Sequence, residues 1–276
     1  MRIFILLLLA ATYNRVADQE LYVYSEPASN MPARSIGTRA SAMWGEGHHG
    51  RQMLRWIPEV QLGISNKLML RAGTTFSDMY TPDQRWESVY LYGKYRLLSV
   101  DGVHRHFRMA VFGEGAYSRN DYYFEEINLQ GDRSGVQAGL IATQLINKLA
   151  VSGTVSHSQA FHRSRNDDVP YHPQRVYSSM NYALSAGYLL LPRTYKSYKQ
   201  LNVNLYAELL GQRTLERKTF YTDLAPALQL IFNSNTKLNL GYRFQLDGNQ
   251  FRNMEKSYLV TVEHTFFNAL KKKQRE

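Results

Sequence analysis

From Ser35 onward the chain alternates between apolar and polar residues with a period of two. The stretch 201–209 places Leu, Val, Leu, Ala and Leu at its odd positions, with Asn, Asn, Tyr and Glu between them. The stretches 237–246 and 149–156 alternate in the same way. Because successive side chains of a β-strand point to opposite faces, each stretch predicts a strand with one apolar and one polar face.

The lengths of these strands and of their connections indicate a membrane environment. Most of the predicted strands contain about ten to fourteen residues, whereas strands of soluble proteins usually have about five or six. A tilted strand needs roughly nine to eleven residues to cross the hydrocarbon core of a bilayer. Short turns such as 66–67, 147–148 and 233–236 alternate with longer loops such as 119–132 and 162–174. Short periplasmic turns and longer outer loops are typical of outer-membrane barrels.

The predicted fold class is all-β: a transmembrane, antiparallel, up-and-down β-barrel of about twelve strands. The predicted strands are 35–45, 52–65, 68–77, 85–97, 106–118, 133–146, 149–161, 175–191, 201–213, 219–232, 237–246 and 256–267. An even number of strands places both termini on the periplasmic side. Closure of the barrel leaves no unpaired backbone edge in contact with lipid.

The parts of the chain outside the barrel have patterns of their own. Residues 3–11 are an apolar run that follows Arg2, which is typical of a secretory signal peptide. The predicted organisation is a signal peptide over 1–17, a periplasmic N-terminal lead-in over 18–34, the barrel over 35–267 and a basic C-terminal tail over 268–276. The expected location is the cell outer membrane of a Gram-negative bacterium.

Composition narrows the range of partners. The chain has no cysteine, which excludes disulfides, a lipoprotein anchor and thiolate metal sites. The net charge is +10, but the basic residues are scattered along the chain instead of forming the cluster that binds nucleic acid. The expected partners are therefore outer-membrane lipid and lipopolysaccharide, the barrel-assembly machinery and small anionic solutes, with no nucleic acid.

Two segments carry a resemblance to known proteins. Residues 258–267 read YLVTVEHTFF, which resembles the terminal assembly signal of outer-membrane barrels, although the chain here continues through residues 268–276. Residues 20–33 read ELYVYSEPASNMPA, which resembles the start of uncharacterised outer-membrane barrels of the Bacteroidota. The resemblance implies a porin-like barrel in the outer membrane. It implies no reaction and no cargo.

If the apolar face of the strands meets lipid, the polar face lines the lumen. Eight basic and five acidic residues are predicted to line it: Arg39, Arg55, Glu59, Arg71, Lys94, Arg96, Arg108, Glu114, Glu208, Asp223, Lys237, Arg243 and Glu263. Strand direction places most of the basic residues toward the periplasmic mouth. A basic ring in an open pore favours anions.

Two functions follow from this lumen. In the favoured interpretation the barrel is a narrow, passive or weakly anion-selective solute channel. In the alternative, the same charges pair across the strands and fill a plugged structural or assembly barrel that does not conduct. Eight strands are just wide enough to be filled by side chains and sixteen leave an aqueous channel, so twelve strands do not decide between them.

The sequence predicts no enzyme, no cofactor and no metal site. His157 and Ser158 are adjacent on a strand and point to opposite faces, so they cannot form a catalytic pair. A less favoured alternative is a hydrolase at the rim, built from acidic and His residues of the longest loops: Asp121, Glu125, Glu126, His162, Asp167, Asp168 and His172. Three groups could hold a metal but are expected to be solvated loop residues: His48 and His49 with Met53, His104 with His106, and His162 with His172.

Overall fold

The fold is a closed barrel of twelve antiparallel strands in a computed structural model that describes residues 22–47, 50–120, 123–161, 176–192 and 199–271. The strands are β1 (Ser35–Glu46), β2 (Gln52–Gly63), β3 (Leu68–Ser77), β4 (Arg85–Asp101), β5 (Arg105–Ser118), β6 (Gly135–Ile146), β7 (Leu149–Ala160), β8 (Ser178–Leu191), β9 (Asn202–Thr214), β10 (Phe220–Phe232), β11 (Thr236–Gly248) and β12 (Lys256–Phe266). The predicted fold class and strand count are confirmed.

Each strand pairs with its neighbours in the chain, and β1 also pairs with β12 to close the barrel. Most strand bounds agree closely with the alternation of the sequence. The largest difference is in β4, which is predicted to end at residue 97 but continues to Asp101. Ser99, Val100 and Asp101 pair with residues 106–108 of β5. The β4–β5 hairpin therefore continues beyond residue 97, where the sequence pattern ends the strand.

The two ends of the barrel differ in their connections. We call one end the turn end: it carries the connections 64–67, 102–104, 147–148, 192–201 and 233–235. We call the other the loop end: it carries the connections 47–51, 78–84, 119–134, 161–177, 215–219 and 249–255. Residue 34, which precedes β1, and residue 267, which follows β12, both lie at the turn end.

The two faces of the wall have the polarity that the alternation predicts. On β9, Asn204, Tyr206 and Glu208 are buried in the barrel, whereas Leu205 between them is exposed on the outside. Aromatic side chains are exposed on the outer face near both ends: Trp44, Trp56, Phe76 and Tyr258 near the loop end, and Tyr95, Tyr188, Phe232 and Phe266 near the turn end. Such rings favour the interface between lipid and water. No helix among the described residues is long and apolar enough to span a bilayer.

Candidate functional site

The lumen is crossed by the chain's own N-terminal residues 22–34, which we call the inner segment. Tyr22 packs edge-on against Tyr206 of β9, with 5.5 Å between the ring centroids. Met31, near the other end of the segment, packs with Met69 of β3 and with Tyr92. Since β9 and β3 are six strands apart in the closed barrel, the inner segment reaches from one side of the lumen to the other.

One end of the inner segment is held by the carboxylate of Glu208. Its Oε1 accepts hydrogen bonds from the backbone N–H groups of Val23 and Tyr24, both at 2.9 Å, and its Oε2 accepts one from Ser25 at 2.8 Å. The Ser25 hydroxyl also lies 2.7 Å from that of Ser185 on β8. Three successive N–H groups form a concave donor site for one anionic group, and bonds of this kind are stronger than neutral ones. Glu208 therefore anchors the segment through its backbone.

The middle of the inner segment is held by charge. The Glu26 carboxylate accepts a hydrogen bond from Arg71, and it lies 3.3 Å from Nζ of Lys94 and 3.7 Å from Nη1 of Arg39. We call these three wall residues the cation cluster. Lys94 also donates from Nζ to the Pro27 carbonyl at 2.8 Å. Burial by itself raises the pKa of Glu26, but the charges of Arg71, Lys94 and Arg39 outweigh burial and lower the pKa well below its usual range.

The cation cluster is also paired with carboxylates of the wall. Arg71 Nε lies 3.2 Å from Glu59, and Arg39 lies 3.6 Å from Glu59 and 3.1 Å from Glu263. Glu263 in turn accepts a hydrogen bond from Nζ of Lys237 at 2.8 Å. This network therefore joins four basic and two acidic residues of the wall, and Glu26 adds a third carboxylate from the inner segment.

Other contacts hold the rest of the inner segment at the turn end. The Ala28 N–H donates to Thr143 Oγ1 at 2.9 Å, and Arg108 donates from Nη1 to Ser29 Oγ at 2.8 Å. The segment then joins β1, where the Arg34 N–H donates to the Gly63 carbonyl. Arg96 is half-buried, as Arg39, Arg108 and Arg243 are, and it lies next to the irregularity in the pairing of β4 with β5.

Residues 123–134 and 249–255, which we call the outer closure, fold into the loop end of the lumen and contact its wall. Ile127 and Leu129 are buried in an apolar cluster with Ala160 and Val176. The Ile127 backbone donates to Gln212 Oε1 at 2.9 Å and accepts from Gln212 Nε2 at 2.9 Å. These contacts fix one loop inside the barrel against β9.

Aromatic and charged contacts join the two loops of the outer closure to each other and to the wall. Phe124 lies 5.2 Å from Phe251, measured between ring centroids. Arg252 donates from both terminal nitrogens to the buried carboxylate of Asp223 at 2.7 Å, and Arg243 donates to the same carboxylate at 2.5 Å. Each of the two loops therefore has its own buried attachment to the wall.

A second buried ion-pair group lies beside the outer closure. Arg55 of β2 lies 3.0 Å from Glu87 of β4 and pairs with Asp132 of the first loop. Burial raises the pKa of Asp132, and the opposing effect of Arg55 does not fully offset it, so the net shift is upward. Arg55, Asp223 and Arg243 are thus the predicted lumen residues that the loop end brings together, while Glu87 and Asp132 were not predicted.

Between the inner segment and the outer closure lies a chamber of about 350 Å³. All twelve strands contribute inward-facing residues to its lining, together with residues 22–26 of the inner segment and 126–130 of the outer closure. Arg39, Arg71 and Glu114 are among the charged groups that line it. The hydroxyls of Tyr22 and Tyr24, which also line it, are buried and have no hydrogen-bond partner among the described residues.

The residues considered for catalysis or metal binding do not form a site in the described part of the chain. No group of three or more His, Asp and Glu side chains there could hold a metal ion. Glu125 accepts a hydrogen bond from the Phe251 N–H within the outer closure, and His106 Nδ1 lies 2.7 Å from Asp101 Oδ1. Seven of the candidate residues lie outside the described ranges: His48, His49, Asp121, His162, Asp167, Asp168 and His172. The rim hydrolase therefore stays a prediction.

Comparison with solved structures finds a similar closed barrel in other outer-membrane proteins. An outer-membrane channel of the COG4313 group from Pseudomonas putida F1 has a TM-score of 0.56 and 12% identity, covering 89% of this chain and 100% of that chain. The β-domain of the Bordetella autotransporter BrkA has a TM-score of 0.52 and 10% identity, covering 84% and 99%. No protein-family model and no curated protein matches the chain. At these identities the likeness concerns the fold, and the chain has the closed antiparallel barrel fold of outer-membrane proteins.

Proposed function

We propose that this protein is a narrow outer-membrane channel for small solutes, weakly selective for anions, and that the structure describes its closed state. The observation that carries the proposal is the chamber of about 350 Å³, which all twelve strands border. A barrel whose strands serve only as a scaffold can fill its interior with side chains, as eight-stranded barrels do. Here the wall instead leaves space, and two segments that are not part of the wall lie across the lumen on either side of that space.

The closed state is compatible with opening because the wall does not depend on the inner segment. Every strand has two hydrogen-bonded neighbours, and the β1–β12 pairing closes the barrel without a contribution from residues 22–34. Withdrawal of the inner segment would join the chamber to the turn end while all strand pairs remain. The expected opening is therefore a movement of one segment inside a fixed barrel.

The proposed anion selectivity comes from the charges on the wall near the turn end. Among the described residues, the wall side of this network has four cations, Arg39, Arg71, Lys94 and Lys237, and the carboxylates of Glu59 and Glu263. When Glu26 leaves with the inner segment, this part of the wall keeps an excess of positive charge. Rings of basic side chains favour anions in pores of this kind.

A second candidate function is a plugged structural or assembly barrel, and the same network favours it. Buried ion pairs connect the inner segment to β1, β3 and β4, and the outer closure to β2, β10 and β11. Breaking a buried ion pair by removing one partner is costly, of the order of 3–5 kcal/mol. In this alternative the closures never leave and the chamber holds only water.

Single-channel recording in planar bilayers distinguishes the two functions. We expect the full chain to show rare openings, and Glu208→Gln to increase the time spent open at least tenfold, because a neutral amide binds the three N–H groups of residues 23–25 less strongly. Glu216→Gln, the same change in the exposed turn between β9 and β10, is the matched control and should behave as the unmodified chain does.

Selectivity is measured in the same experiment as the reversal potential under a salt gradient. Arg71→Gln in the Glu208→Gln background should move the reversal potential toward cation preference. If Glu208→Gln and a variant lacking residues 22–33 both fold as barrels, judged by β-sheet circular dichroism and folded-form gel mobility, and neither conducts, the plugged barrel replaces the channel as the better proposal.

A further inference from the structure

The position of Glu26 indicates which chemical group the channel binds. Its carboxylate contacts Arg71, Lys94 and Arg39, which come from β3, β4 and β1. We propose that the cation cluster is a binding site for the carboxylate group of a small solute, and that Glu26 occupies this site in the closed state as an internal substitute. This inference rests on the proposed channel function and adds the class of solute to it.

The cation cluster has the geometry of a built site for a carboxylate. Arg71 is 4% exposed and Lys94 is fully buried, so both charges lie in an environment where water competes weakly. The Arg71 guanidinium stacks over the Tyr92 ring, with its central carbon 4.5 Å from the ring centroid, and its Nε lies 3.2 Å from Glu59 Oε1. These contacts come from the wall, so they orient Arg71 whether or not Glu26 is present. A guanidinium fixed in this way is well suited to carboxylate recognition.

The occupant of the site belongs to a different part of the chain from the site itself. Glu26 lies on the inner segment, whereas the three cations and their partners Glu59 and Glu263 lie on strands. Loss of the inner segment would therefore remove the carboxylate and keep the cations in place. A solute that brings its own carboxylate restores the charge balance that Glu26 now provides.

The surroundings of the site limit the size and polarity of the solute. Arg39, Arg71 and Glu26 line the chamber, so a carboxylate bound here would extend into it. A volume of about 350 Å³ lies near the lower limit of small-molecule sites, which is roughly 300 Å³. Asn239 lines the same chamber and has a buried carbonyl oxygen without a hydrogen-bond partner among the described residues. The expected solute is therefore a small monocarboxylate with a polar body.

Competition between Glu26 and the solute would couple binding to opening. A group tethered by a short flexible segment acts at an effective concentration in the millimolar range. A free carboxylate must reach a similar concentration to displace Glu26 from the cation cluster. Each displacement removes the ion pairs that hold the middle of the inner segment and leaves the hydrogen bonds to Glu208 and the contacts at the turn end.

Calorimetric titration of sodium acetate into the full chain in detergent micelles tests the site directly. Glu26→Ala removes the internal carboxylate and leaves room for acetate, so we expect its acetate Kd to be at least tenfold lower than that of the unmodified chain. Glu46→Ala is the matched control, because it makes the same change at an exposed position of β1 that does not line the chamber. Its acetate Kd should stay within about threefold of the unmodified value.

Two further arms of the experiment identify the site and the ligand chemistry. Glu26→Ala combined with Arg71→Gln should lose the gain in acetate affinity. Sodium chloride titrated at the same ionic strength should give no comparable binding. The inference is overturned if Glu26→Ala binds acetate no better than the unmodified chain, if Glu46→Ala gains as much, or if chloride binds as acetate does.

The acetate titration and the recording of channel conductance can succeed or fail independently of each other. A chain that conducts but shows no acetate gain in Glu26→Ala retains the channel function and loses the carboxylate site. A chain that shows the gain but never conducts retains the site and loses the channel. Variants are compared only when circular dichroism and folded-form gel mobility show that the barrel has formed.

Discussion

The two closures of the lumen are built from different interactions. The polar contacts of the inner segment centre on two carboxylates: Glu208 accepts three backbone N–H bonds, and Glu26 contacts the cation cluster. Tyr22, Ala28 and Met31 of the same segment are also buried against apolar residues of the wall. The outer closure combines an apolar cluster around Ile127 and Leu129 with a buried ion pair between Arg252 and Asp223. Water and dissolved anions can replace the hydrogen bonds and ion pairs of a carboxylate, but they cannot replace buried apolar surface. Under the proposed channel function, we therefore expect the inner segment, whose carboxylate contacts can be exchanged in this way, to move and the outer closure to stay.

The largest effect is expected for Asp223→Asn in the outer closure. The change removes the charge that compensates Arg243 and Arg252, and loss of one partner from a buried ion pair costs about 3–5 kcal/mol. The measurement is the free energy of unfolding in urea in lipid vesicles. Asp247→Asn, an exposed position on the adjacent strand β11, is the control and should change little. A loss below about 1 kcal/mol at Asp223 would mean that ion pairing contributes little to the outer closure.

A somewhat smaller loss is expected for Leu129→Ala. Leu129 is 2% exposed, and truncation of a buried leucine costs about 2–5 kcal/mol through lost burial and the cavity that remains. Val103→Ala, at a turn residue that is 90% exposed, gives the reference for a truncation without burial. If the two truncations have equal effects on the free energy of unfolding, apolar burial does not hold the outer closure and the comparison fails.

Glu208→Gln should have a smaller effect on stability but a selective effect on the inner segment. Weakening the bonds to residues 23–25 should cost about 1–3 kcal/mol locally. Hydrogen exchange of the Val23, Tyr24 and Ser25 amides should therefore accelerate about tenfold or more. The Ile127 amide, bonded to Gln212 in the outer closure, is the internal control and should keep its rate. Equal acceleration at both places would show that the two closures open together.

The smallest effect concerns pH. The folded pKa of Glu26 is lowered, since the cation cluster outweighs burial, whereas the unfolded value is about 4.3. Its ion pairs therefore contribute stability that is fully present above the unfolded pKa and is lost only as pH falls through the lower folded value. The difference in open fraction between the unmodified chain and Glu26→Gln should therefore stay constant from pH 7 to pH 5. A change in open fraction that has its midpoint between pH 7 and pH 5 in the unmodified chain, and that is absent in Glu26→Gln, would contradict this. It would mean that Glu26 is not ionised throughout that range.

The barrel itself was predictable because lipid imposes a simple pattern. A strand between lipid and a polar interior must alternate, so the alternation of β9 and β11 gave their bounds and the facing of Glu208 and Arg243. The burial of Glu87 was not predicted in this way. The pairing of β3 with β4 shifts between Thr75 and Phe76, where a bulge buries both Glu87 and Ser88. A bulge adds one residue to a strand and breaks the period of two, so alternation cannot place the residues beyond it.

The position of the inner segment was not predictable from pattern, because residues 22–34 have neither strand alternation nor helical periodicity. Their hydrogen bonds go to side chains far away in the sequence. One signal was present in the charges: the predicted lumen has eight basic and five acidic residues, and such an excess requires compensation by water, solutes or another part of the chain. Glu26, the carboxylate nearest to β1 on its N-terminal side, supplies part of it.

The enclosure of the inner segment constrains the order in which the protein can assemble. Val23 bonds to a residue 185 positions later in the chain, and Arg39 bonds across the last pairing to a residue 224 positions later. Contacts of such separation carry a high entropic cost before they form. The N-terminal residues are synthesised before any strand, yet their partner on β9 exists only after eight strands have been made. They must therefore be kept from other contacts until the wall is nearly complete, and the joining of β12 to β1 then determines on which side of the wall they remain.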